Sequence, residues 1–144
     1  MLVCGVELVG NDAIICLVKM EDDIFHLPEC RVRRISCENP DMKSDLEYFQ
    51  KTFLKLVEDY KIDRIVIKER MKKGKFSGGA NGFKLEAAIQ LMGDVKVTLQ
   101  SPSNQKASLK HYPLPFKFEE TTLKKFQETA FMAGFSYLGG KYEW

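Results

Sequence analysis

Residues 44–70 read SDLEYFQKTFLKLVEDYKIDRIVIKER, and this stretch decides the fold. Leu46, Phe49, Phe53, Leu56 and Tyr60 recur at three- and four-residue spacing, which sets them on one face of a helix. Ser44-x-x-Glu47 has the form of a capping box at the start of that helix. The pattern then changes to a short β-branched run over 62–68, ending in Glu69-Arg70. A strand reached through a crossover helix is expected to lie parallel to its sheet neighbour. The fold class is therefore α/β.

Upstream of the helix the chain reads as strands. An apolar run over 2–8 is broken by Gly10-Asn11-Asp12, where a tight turn is expected. A second run, 13–20, ends at Glu21-Asp22-Asp23, and residues 31–36 (RVRRIS) partly alternate apolar with basic, as an exposed edge strand does. These three strands form an antiparallel meander. Downstream, residues 71–82 (MKKGKFSGGANG) make a glycine-rich basic loop. A short helix over 83–92, a strand over 95–99 and another short helix over 103–110 follow, with Pro102 near the start of the latter. Pro113 and Pro115 break the chain, and 121–138 reads as a long final helix with Leu123, Phe126, Ala130 and Ala133 inward. The expected order is βββαβαβαα: a mixed five-stranded sheet flanked by helices, with 1–144 as a single domain.

Composition bounds the function classes. The chain has 144 residues, 44% hydrophobic and 29% charged, which excludes wholesale disorder. Twenty-two Lys+Arg against twenty Asp+Glu leave a net charge of +2. That excludes a basic coat or an acidic tail, while leaving room for a local basic patch. No apolar stretch reaches the roughly 18–20 residues of a membrane span, and no basic signal-peptide start precedes the first run. The four cysteines include no C-x-x-C pair, and Cys4 and Cys16 lie within apolar runs as small hydrophobes. The expectation is a reduced, cytoplasmic protein with no membrane partner.

Three acids stand out by position. Glu7 lies amid apolar neighbours in the first strand, Glu69 at the end of the fourth, and Glu128 between Phe126 and Phe131 in the last helix. Desolvating a carboxylate costs several kcal/mol unless it is paired or bound to a cation. Converging carboxylates therefore imply a divalent ion or a shared proton. The alternative is solvent exposure, Glu7 through strand alternation and Glu128 on the wet face of its helix. A second signal is basic: Lys68, Arg70, Lys72, Lys73, Lys75 and Lys84, interleaved with Gly74, Gly78, Gly79 and Gly82. Such a loop lets backbone N–H groups and cations approach phosphates, and Phe76 and Phe83 could stack on bases. Its spacing is not that of a Walker motif, and a solvated basic loop is the alternative. His26, Cys30 and Cys37 lack a fourth metal ligand, His111 lacks a catalytic partner, and Ser77 lacks a nucleophile elbow.

With these residues in place, the layout resembles the ribonuclease H-like fold, and within it the RuvC-type resolvase branch. Gly5-Val6-Glu7 is similar to that branch's Gly-Ile-Asp, and Ile65-Val66-Ile67-Lys68-Glu69 to its strand-four Glu. Pro102 with Lys106 resembles its Pro-x-x-x-Lys, and Glu128-Thr129-Ala130 falls where it has an acid followed by small residues. The chain also resembles a small bacterial family of unknown function, through Lys68-Glu69-Arg70-Met71 and Gly74-Lys75-Phe76.

The resemblance implies a Mg²⁺- or Mn²⁺-dependent phosphodiester hydrolase acting on structured nucleic acid. In it Glu7 would bridge two ions about 3.5–4 Å apart, completed by Glu69 and Glu128. The 68–84 loop and Lys106 would hold the backbone. Two departures count against it: the branch has Asp where Glu7 and Glu128 stand, and a further acid where Lys125 stands. Three functions thus compete: a nuclease, a catalytically silent nucleic-acid-binding module, and a protein-interaction domain. Edge strands would also allow a homodimer.

Overall fold

The computed structural model describes residues 1–71 and 79–140. In chain order the elements are β1 (Leu2–Val9), β2 (Asp12–Glu21), β3 (Ile24–His26), β4 (Arg34–Ser36), α1 (Lys43–Tyr60), β5 (Arg64–Lys68), α2 (Ala80–Gln90), β6 (Lys96–Gln100), α3 (Pro102–His111) and α4 (Glu128–Gly139). The sheet runs β3-β2-β1-β5-β6, with β4 also pairing β2. β1 is antiparallel to β2, and β5 is parallel to both β1 and β6. The mixed sheet and the crossover expected from 44–70 are both present.

Local chemistry explains the turns. Gly10, at φ +59°, opens the two-residue link between Val9 and Asp12, a conformation that favours glycine. Asp22 and Asp23 both take left-handed backbone and close the β2–β3 hairpin, where the sequence suggested only a strand end. The edge strand expected over 31–36 is present as the shorter β4, and β3, which was not expected, is an additional strand; the two pair with opposite ends of β2, so the sheet has six strands rather than five. Pro28 lies in the segment between them, and Pro donates no ladder hydrogen bond.

Two helix starts differ from expectation. α1 begins at Lys43 with Met42 as its N-cap, and no side chain caps it; the Ser44–Glu47 capping box does not form. The Asn39 side chain instead accepts from the Asp41 N–H at 3.0 Å, so a local turn delivers the chain into the helix. The final helix begins at Glu128, not at 121. The Thr121 hydroxyl donates to the Phe118 carbonyl at 2.7 Å and accepts from the Leu123 N–H at 3.3 Å, which holds that segment in turns. Phe126 is consequently 42% exposed, beneath the Arg34 guanidinium, rather than inward.

Both sheet faces are covered. Cys4, Val6, Leu8, Ile15, Leu17, Ile65 and Ile67 pack against Phe49, Phe53 and Leu56 of α1 and Leu85 and Ile89 of α2. Val3, Ile14, Cys16, Val18 and Val66 pack against Ala130, Phe131 and Phe135 of α4. This alternation gives β1, β2 and β5 their near-continuous apolar runs. α4 lies very close to β1: a Cβ on Gly5 would collide with the Ala130 carbonyl and come within 2.9 Å of the Gly134 nitrogen. Among the described residues, no helix is long and apolar enough to cross a membrane.

Candidate functional site

The carboxyl ends of β1, β5 and β6 lie side by side, with Val6 level with Ile67 and Lys68 level with Gln100. Open α/β sheets present ligand sites at this end. The rung beyond Val6 and Ile67 brings Glu7 next to Lys68. Both residues follow, at two-residue spacing, positions that face α4: Gly5 pressed against Ala130, and Val66 in the α4-side core.

Glu7 is half-buried here. Burial raises its pKa above the ordinary glutamate value, opposed by the positive charge of Lys68, by a hydrogen bond with the Thr129 side chain at the start of α4, and by Arg70. Arg70 also works as a clamp. Its guanidinium donates to the Leu8 carbonyl, lies 5.6 Å from the Phe83 ring centroid, and fills the space a Cβ on Gly82 would need. It thereby ties the end of β1 to the first turns of α2, and one face of Phe83 is covered rather than free for a base.

The other two acids are placed differently. The Glu69 N–H donates to the Gln100 carbonyl at 2.9 Å, extending the β5–β6 pairing by one residue. Strand alternation then sends Glu69 to the sheet face opposite Lys68. Glu128 is the first residue of α4, and its carboxylate lies 3.9 Å from the Lys125 ammonium, with 43% of the side chain exposed. The charges acting on Glu7 come from lysine and arginine. Among the described residues, no three of His, Cys, Asp and Glu are grouped as a metal ion requires. A divalent ion at Glu7 would be repelled by Lys68 and Arg70, whose positive charges act on the same carboxylate. The donor set does not fit a divalent ion.

Of the basic candidates, Lys68 and Arg70 are half-buried at this end of the sheet, and Lys106 is exposed one turn into α3. Lys84, in α2, is bonded to Asp41. Lys72, Lys73 and Lys75, together with Phe76 and Ser77, lie outside the described residues. Burial pushes the Cys16 thiol up to about 12 and the Cys4 thiol well above the ordinary range, so neither is an activated nucleophile. All four cysteines are free.

The model of a family of proteins of unknown function, DUF3010, matches residues 1–137. The chain belongs to this family. No curated protein matches it. Among solved structures, Thermus thermophilus RuvC aligns with a TM-score of 0.72 at 12% identity, covering 96% of this chain and 94% of that one. The same organism's RuvC in complex with a Holliday junction substrate aligns at 0.67, again with 12% identity, over 96% and 93%. The Fowlpox virus resolvase in complex with Holliday junction DNA aligns at 0.56 and 12% identity, over 96% and 97%. These likenesses fix the fold of this DUF3010 chain as the ribonuclease H-like fold of the RuvC resolvases.

Sequence reasoning missed the polar groups that organise the α4 face. The Gln100 amide donates to the Ala133 carbonyl at 3.1 Å and to the Ser136 hydroxyl at 2.8 Å, and its carbonyl oxygen accepts from Gln105 at 3.0 Å. The Gln127 amide donates to the Ile15 carbonyl at 2.9 Å while its oxygen accepts from the Lys124 N–H at 3.0 Å. For Thr129 the available signal was its place directly after Glu128. For Gln100 and Gln127 there was none, because glutamine is ordinarily a surface residue and only long-range contacts bury it.

Proposed function

We propose that this protein is a nucleic-acid-binding module on a resolvase-type scaffold, without phosphodiester hydrolysis of its own. The observation that carries the reading is the Glu7 carboxylate acted on by Lys68, Arg70 and Thr129 at the carboxyl ends of the central strands. A site with more positive than negative side-chain charge attracts phosphate and repels a divalent ion. The likeness to resolvases whose structures hold Holliday junctions supports a branched or otherwise structured nucleic acid as the partner. In this reading Lys106, Lys84 and the basic segment with Lys72, Lys73 and Lys75 supply contacts to the nucleic-acid backbone. Such contacts are electrostatic and release counterions.

The test is a gel-shift and fluorescence-anisotropy titration with a four-way DNA junction and a duplex control. Junction affinity is expected to fall linearly with log salt, each lost phosphate contact lowering the slope by about 0.9. Lys106→Glu and a combined Lys72→Glu, Lys73→Glu, Lys75→Glu variant should each weaken binding and flatten that slope. Salt-insensitive or absent binding overturns the reading. Mg²⁺- or Mn²⁺-dependent cleavage that Glu7→Gln and Glu69→Gln abolish overturns its non-catalytic part and restores the nuclease with Glu7, Glu69 and Glu128 as ligands.

A further inference from the structure

Building on the binding reading, we infer that Lys68 is the resident cation of the Glu7 carboxylate, so that this end of the sheet is held together without a divalent ion. Three observations converge. The parallel register that levels Val6 with Ile67 sets Glu7 and Lys68 on neighbouring positions of adjacent strands. Alternation from Gly5 and Val66, both buried under α4, sends the two side chains to the same face. A second cation, Arg70, is fixed nearby by its bond to the Leu8 carbonyl and its packing on Gly82 and Phe83, so it cannot swing away to admit an ion. A carboxylate acted on by two protein cations has its charge offset without an ion. Lys68 therefore acts as a specificity-determining residue: it decides that Glu7 takes an ammonium rather than a metal.

Charge alone distinguishes Lys68→Met from Lys68→Glu, and that contrast is the test. The full chain is melted with and without Mg²⁺ and Mn²⁺, and Mn²⁺ binding is read independently by the loss of free-ion paramagnetic resonance signal. The wild-type chain should show no saturable melting shift and no Mn²⁺ uptake at millimolar ion. Lys68→Met should lower Tm by about 3–5 °C, an effect typical of one lost favourable interaction in a chain this size. The double variant Glu7→Gln with Lys68→Met should recover most of that loss. Lys68→Glu should acquire saturable Mn²⁺ binding and a Mn²⁺-dependent rise in Tm, and a further Glu7→Gln change should abolish both.

Saturable Mn²⁺ uptake by the wild type that Glu7→Gln removes overturns the inference. So does a double variant no more stable than Lys68→Met, which would show that Lys68 does not compensate Glu7. Should Lys68→Glu fail to fold, the wild-type Mn²⁺ titration and the Lys68→Met double-variant comparison still decide. Junction binding is measured separately: its absence would overturn the binding reading while leaving the metal result intact.

Discussion

The face of the sheet under α1 and α2 and the face under α4 bury different materials. Under α1 and α2 the contacts come from large side chains, with Phe49, Phe53, Leu85 and Ile89 closing over Val6, Ile15, Ile65 and Ile67. Under α4 the backbones come into near contact through Gly5, Ala130 and Gly134, and the buried polar groups Gln100, Gln127 and Ser136 lie on this side. Large apolar side chains hold elements apart at a comfortable distance; small residues let backbone dipoles and short polar side chains engage one another. The functional end of the sheet follows from this difference. Glu7 reaches Thr129 because Gly5, two residues earlier, lets α4 approach β1.

The contrast can be broken by substitutions of opposite sense. Phe53→Ala, on the large-residue face, leaves a void at a fully buried site and should cost about 3–5 kcal/mol in urea unfolding. Gly5→Ala adds a methyl where there is no room and should cost about 3 kcal/mol, because a carbonyl and a backbone nitrogen cannot yield as a side chain can. Tolerance of Gly5→Ala would show that α4 is not held against β1 by backbone approach. Gln127→Ala strips the Ile15 carbonyl and the Lys124 N–H of their partner and should cost about 2 kcal/mol, chiefly as unsatisfied buried groups.

The smallest effect concerns pH. The folded chain binds the Glu7 proton more tightly than the unfolded chain does, so the stability tied to this group is complete below the ordinary glutamate value. It is lost as pH rises through the raised folded value. Glu7→Gln should therefore flatten the melting profile on the alkaline side of the ordinary glutamate value, compared with the wild type in the same buffers. A profile of unchanged slope would mean that burial does not govern Glu7.

Much of the fold was readable from local pattern, and the site much less so. The 44–70 stretch announced its helix and crossover strand because Phe49, Phe53, Leu56 and then Ile65 and Ile67 repeat with the periods of those elements. The expected edge strand over 31–36 was drawn too long and β3 was missed, because each of these strands is only three residues, too short for alternation to speak. The long final helix was misjudged because Leu123 and Phe126 keep a helical spacing that Thr121 and Gln127 override through hydrogen bonds made elsewhere. At the site, position along the chain located Glu7 and Lys68 correctly at strand ends. It treated Glu69 as their companion, yet one residue along a strand reverses the face.

The sequence by itself determined the α/β class, the parallel crossover, the apolar faces of the first helix and the central strands, and the presence of charge at the ends of those strands. Those properties follow from periodicity and from the cost of hydrating apolar side chains, which act locally along the chain. Only the tertiary structure decided which charges meet. Register between β1 and β5 set Glu7 and Lys68 on neighbouring positions, the close approach at Gly5 brought α4 and Thr129 to Glu7, and Lys125 lies beside Glu128. Whether a carboxylate is offered to a metal or held by an ammonium depends on distances between residues about sixty positions apart. Electrostatic energy is set by such distances and by burial, and neither is written in the order of the residues.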